Sequence, residues 1–80
     1  FGIFPTPFMT TTTIAYELQY PSTVELSAYN HLGERLEVIR KAQSSGKQQV
    51  VWDAERLPSG VYYVVLKTEN DIHSTKLIKF

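Results

Sequence analysis

The 80-residue sequence predicts an all-β fold, a small antiparallel sandwich of about six to seven strands. Three observations predict it. Apolar residues recur at every second position, the spacing of a strand with one buried face, and helical spacing is absent. Clusters of Pro, Gly, Ser, Asn and Asp punctuate the chain roughly every 8 to 12 residues, which is too often for anything but short strands. No internal sequence repeat and no helix of useful length are present.

The elements follow in order. Phe1 to Phe8 contains Pro5 and Pro7, which cannot donate to a sheet ladder. It reads as a proline-containing lead-in of about ten residues, extended and polyproline-like. It is placed at an edge, with Phe4 and Phe8 anchored on the body of the domain. Four threonines, Thr10 to Thr13, favour extended backbone and open the first full strand, where Ile14, Tyr16 and Leu18 alternate with Thr13, Ala15 and Glu17. Tyr20-Pro21-Ser22-Thr23 turns the chain into a second strand, expected to pair with the first, with Val24, Leu26 and Ala28 on one face. Asn30-His31-Leu32-Gly33 reads as a hairpin loop with Gly33 left-handed, and Leu36 and Val38 are expected to face the core from the third strand.

Ser44-Ser45-Gly46 is a turn before Gln48, Val50 and Trp52, and Trp52 is the expected centre of the core. Asp53 to Arg56 breaks the alternation and is expected to form one helical turn capped by Asp53. Leu57-Pro58-Ser59-Gly60 fits a type I turn. Tyr62, Val64 and Leu66 then form one face of the next strand. Val61, Tyr63 and Val65 make its other face so apolar that a central strand covered on both sides is expected. Asn70-Asp71 leads to a last strand from Ile72 to Phe80, on which either Leu77 or Ile78 could point inward. This series describes an immunoglobulin-like sandwich, with a small barrel as the alternative that pattern alone leaves open.

Composition narrows the function. Eight Lys and Arg balance eight Asp and Glu, so no net field draws in nucleic acid or an anionic membrane. No cysteine is present, which removes disulfides and thiolate metal sites and leaves packing alone to hold a small domain. No stretch approaches the roughly 20 apolar residues that cross a bilayer. A signal peptide, if the protein is exported, is expected upstream.

Each residue that could carry chemistry has a plainer role. His31 and His73 have no second ligand at metal-site spacing, and Asp53 and Glu55 lack a calcium-binding loop. Ser59 lacks the elbow that exposes a nucleophile, and Gly33 and Gly60 belong to no phosphate-cradling loop. No enzyme, cofactor or small-molecule substrate is therefore expected. Tyr16 and Tyr62 share faces with aliphatics and are expected to be buried. Tyr29 and Tyr63 lie opposite and are the candidates for an exposed aromatic platform.

Three segments carry a family resemblance: Phe4-Pro5-Thr6-Pro7-Phe8, the run Trp52-Asp53 to Pro58-Ser59-Gly60-Val61-Tyr62, and Lys76-Leu77-Ile78-Lys79. In this order they resemble the type A C-terminal sorting domain of proteins exported by the type IX secretion system of Gram-negative bacteria, along nearly the whole chain. Phe4 and Thr6 stand where that family usually has tyrosine and asparagine, and Phe80 follows Lys79 where many members end on lysine.

The resemblance implies a non-catalytic signal joined to an upstream cargo. It also implies passage through the periplasm and the outer-membrane translocon to the cell surface, recognition by a shuttle protein, and removal by a sortase. It places the sorting motif on Leu32 and Gly33, on Gly60, Val61 and Tyr62, and on Lys76, Leu77, Ile78 and Lys79. Edge strands offer unpaired amides to a partner while lysines deter indiscriminate pairing, so the last strand is the expected recognition element. Two other readings are an immunoglobulin-like spacer of the flagellar hook-cap kind and a carbohydrate-binding module. A spacer is expected to continue past the last strand, where this chain stops.

Overall fold

A computed structural model describes residues 1–80. It contains seven strands: β1 (Gly2–Phe4), β2 (Thr11–Leu18), β3 (Ser22–Asn30), β4 (Arg35–Gln43), β5 (Gly46–Asp53), β6 (Gly60–Lys67) and β7 (Ile72–Lys79). They form two antiparallel sheets, ordered β1-β2-β5 and β4-β3-β6-β7. The expected immunoglobulin-like β-sandwich is the fold.

Alternation becomes packing directly. Ile14, Tyr16 and Leu18 of β2, Val24, Leu26 and Ala28 of β3, and Tyr62, Val64 and Leu66 of β6 all point between the sheets and are buried. Burying each large apolar side chain is worth about 1.5–3 kcal/mol, and here no disulfide adds to that. Trp52 sits among them as expected, 4% exposed, with its ring 5.9 Å from both Phe8 and Tyr62. Its indole N–H donates to Glu37 Oε2 at 2.8 Å, which fastens the edge of one sheet to the edge of the other.

Several expectations are corrected. β2 does not pair with β3. It pairs with β5 along its whole length, Thr11 opposite Asp53 to Leu18 opposite Gly46, while β3 pairs with β4 and β6. The Tyr20-Pro21 connection therefore crosses between sheets. Leu36 and Val38 do not face the core: Leu26 and Ala28 oppose Ile39 and Glu37, so Ile39 packs inward and Val38 outward. A bulge between Ala28 and Tyr29 leaves Leu36 as the extra residue, which explains why simple alternation misplaced it.

Asp53 closes β5, and Ala54 to Leu57 forms a β-turn where a helical turn is expected. Leu57 N–H donates to Ala54 O at 3.0 Å, and Asp53 Oδ1 accepts the Glu55 amide at 3.0 Å, so the expected capping contact survives in a tighter loop. The next expected turn, Leu57 to Gly60, lacks its closing hydrogen bond, and Leu57 O accepts Lys79 Nζ at 2.9 Å. β6 is central, but its second face is open to solvent: Tyr63 is 40% exposed, with Val61 and Val65 half-buried. On β7 the ambiguity resolves to Leu77 and Lys79 inward and Ile78 outward.

The lead-in also differs. β1 pairs with β2 at the edge as expected, yet residues 5–7 bend where a polyproline-like extension is expected, and Phe4 is 67% exposed. Ile3 packs in place of Phe4. Phe8 is buried and joins the opposite sheet by a parallel bridge to Lys79. The lead-in thus begins on one sheet and ends on the other, held at the crossing by the buried Thr12 hydroxyl, which donates to Pro5 O at 2.8 Å.

Candidate recognition surface

The expected site residues fall on three elements at one end of the sandwich. Gly60, Val61 and Tyr62 open β6 and pair residue by residue with Lys79, Ile78 and Leu77 of β7, with Tyr63 opposite Lys76. Two blocks far apart in sequence thus form one ladder. Gly60 has φ 154° as it leaves the turn, a conformation that a side chain resists. The Tyr62 hydroxyl donates to Pro58 O and fixes the loop before it.

Leu32 and Gly33 form the tip of the β3–β4 hairpin at that same end. Gly33 has φ 83°, the left-handed geometry expected of it. Asn30 builds the loop from its own side chain: Oδ1 accepts the amides of Leu32 at 2.9 Å and Glu34 at 3.0 Å. Asn30 and His31, at the hairpin base, share a cleft of about 130 Å³ with Leu57 to Tyr62. The largest cleft, about 470 Å³, lies at the opposite end between the β2–β3 connection and the β6–β7 hairpin, away from every motif residue.

Side-chain direction divides the nine residues. Tyr62, Leu77 and Lys79 are buried, whereas Leu32, Lys76 and Ile78 are exposed and Val61 is half-buried. Lys79 is 8% exposed, with its stem in the sandwich and its ammonium on Leu57 O, so it locks the turn from within. Lys76 points outward and makes no hydrogen bond or ion pair with the protein.

The edge of β7 is only partly free. Phe8 N–H donates to Ile78 O at 3.0 Å and Phe80 N–H donates to Phe8 O at 2.8 Å, so the lead-in covers the last turn of the strand. From Ile72 to Lys76 the edge carries no partner strand. Sequence reasoning singled out the segment around Phe8 but missed this covering role, because a parallel bridge between distant segments leaves no periodic trace.

The remaining candidates are placed as follows. His73 lies beside Phe1 with ring centroids 6.0 Å apart and planes tilted by 53°, and His31 is exposed on the hairpin. No three His, Cys, Asp or Glu side chains come together as a metal site. Glu25, on the outer face of β3, accepts from Arg40 at 3.0 Å, which holds its carboxyl below its ordinary range.

A family model described as a secretion system C-terminal sorting domain matches residues 2–80. No curated protein matches the chain.

Proposed function

This chain belongs to the secretion system C-terminal sorting domain family, matched from residue 2 to residue 80, and we propose on that premise how its signal is read. The domain is a sorting signal for type IX secretion, and it marks the protein that carries it for export to the cell surface or the extracellular space. In our reading the 80 residues act as one unit behind an upstream cargo. An outer-membrane shuttle protein takes cargo and domain from the periplasm by engaging β7 and the residues paired with it. The translocon passes both, and a sortase then separates them. The domain contributes no catalysis and works by being recognised.

One observation supports this reading most. The ladder of Gly60, Val61 and Tyr62 against Leu77, Ile78 and Lys79 unites the motif blocks beside the open edge from Ile72 to Lys76. Its buried members set the shape, while Lys76 and Ile78 remain outward for a partner.

The test uses Lys76→Gln with Ile78→Thr, both exposed positions where substitutions usually move stability by no more than about 0.5 kcal/mol. Cargo fused to this variant is expected to stay in the periplasm while the domain melts as before. Normal surface display of the folded variant overturns the assignment of β7 as the element read.

A further inference from the structure

The outer face of the four-stranded sheet separates charge from the rest of the molecule. Arg35, Arg40, Lys67 and Lys76 lie on it against a single carboxylate, Glu25. That is a net +3 on one face of a chain whose eight basic and eight acidic residues cancel, so the remaining surface, with four cations and seven carboxylates, is −3. Between the cations runs an apolar stripe. Val38, Ser27 and Val65 form one cross-strand row, Tyr29 and Tyr63 the next, and Val61 and Ile78 a third. Val38, Tyr63 and Ile78 are 39%, 40% and 43% exposed.

We propose that this face is a docking surface for a folded protein partner with an apolar centre and an acidic rim, and that in secretion the partner is the shuttle. The proposal rests on the sorting reading above and extends it from β7 across all four strands to β4. An apolar, tyrosine-bearing centre ringed by cations is the anatomy of a protein interface, and Tyr and Arg are the residues that most often dominate one. Size agrees. Four strands about 4.8 Å apart and eight residues at about 3.3 Å each make roughly 500 Å². That is below the about 800 Å² per partner of a standard complex and suits a transient contact, as a carrier requires. Shape agrees as well, because small ligands favour concave sites and the clefts of this molecule lie at the ends and along the β4–β5 seam. The four cations would speed encounter with an acidic surface and make binding salt-dependent.

The experiment measures binding of the 80-residue chain to the purified shuttle protein at low and high salt. Val38→Glu with Tyr29→Glu puts two carboxylates on the β3–β4 part of the face, on strands that do not pair with β7. It is expected to weaken binding by about tenfold or more, the scale of one lost hot spot. Arg40→Gln with Lys67→Gln, a second variant that adds no charge to a strand, is expected to weaken binding less and to flatten the salt dependence. Lys47→Glu with Arg56→Glu, off the face, serves as the control and is expected to bind normally. Melting of each variant separates a folded loss of binding from unfolding.

If both face variants bind normally while Lys76→Gln with Ile78→Thr does not, the docking face is overturned and the sorting reading stands. If all of them bind normally, both fall. Salt-sensitive dimerisation of the chain abolished by the face variants, or retention on phosphatidylglycerol vesicles or an acidic polysaccharide with no face-dependent binding to the shuttle, also overturns the proposal by assigning the face to another occupant.

Discussion

Tyr16 carries a hydroxyl that the core does not satisfy: the oxygen is buried and has no hydrogen-bond partner. Burial pushes the phenol above its ordinary range, and Gln43 offsets part of that rise without reaching hydrogen-bond geometry. An unpaired buried hydroxyl costs about 1–3 kcal/mol, so Tyr16→Phe is expected to leave the ring packing intact and stabilise the domain, by about 1 kcal/mol in denaturant unfolding. The sign with pH is fixed too. A raised phenol contributes stability below the ordinary value of 10.0 that is lost as pH rises further, and Tyr16→Phe removes that alkaline loss. Glu25 acts in the opposite sense. Arg40 holds its carboxyl below the ordinary 4.5, so the stability it lends is present above that pH and is lost as pH falls through the lower folded value. Melting of Glu25→Gln and the native chain from neutral to acid is expected to converge below that range. The effect is small, because the pair is exposed.

At the scale of elements, Phe8 links three parts of the fold. Its ring lies 5.9 Å from Trp52, and its backbone bridges Ile78 and Phe80 through two hydrogen bonds. Phe8→Ala is expected to cost about 3–5 kcal/mol by transfer and cavity terms. It is also expected to raise amide exchange at Phe80 ahead of the β3–β6 ladder. Equal loss of protection in both places would show that the lead-in and the sandwich open as one unit. On β6, Leu66 is 2% exposed and points into the same core, so Leu66→Ala is expected to cost about 2–5 kcal/mol. A melting temperature unchanged by that substitution would contradict the facing of the strand.

For the whole molecule, the strand proposed above to be recognised also carries much of the stability. Deleting Lys76 to Phe80 removes the buried Leu77, the Lys79 ammonium from Leu57 O and the partner of Phe8. That truncation is expected to lower the melting temperature by many degrees, because 1 kcal/mol already moves a domain of this size by about 4–8 °C. Export failure of the truncated chain therefore reports unfolding as much as a lost signal. The outward pair Lys76 and Ile78 is the cleaner probe, and a truncated chain that melts normally would refute the burial of its last strand.

The fold class, six of the seven strands and most of the core followed from sequence by itself. One-sided burial forces strict alternation, and Ile14, Tyr16 and Leu18 or Tyr62, Val64 and Leu66 record it directly. The left-handed Gly33 was legible for a similar local reason, since its conformation is set within a hairpin loop. The motif blocks could also be identified by resemblance, but not which of their side chains are presented. Tertiary structure alone decided that β2 joins β5 and not β3, because alternation is indifferent to the partner across the ladder. It decided that Val38 faces out past a bulge, and that Lys79 turns inward to a carbonyl which local turn rules assign to Gly60. It likewise placed four cations from three strands on one face of a neutral chain. Such placements depend on register between distant segments, and no local pattern encodes that register.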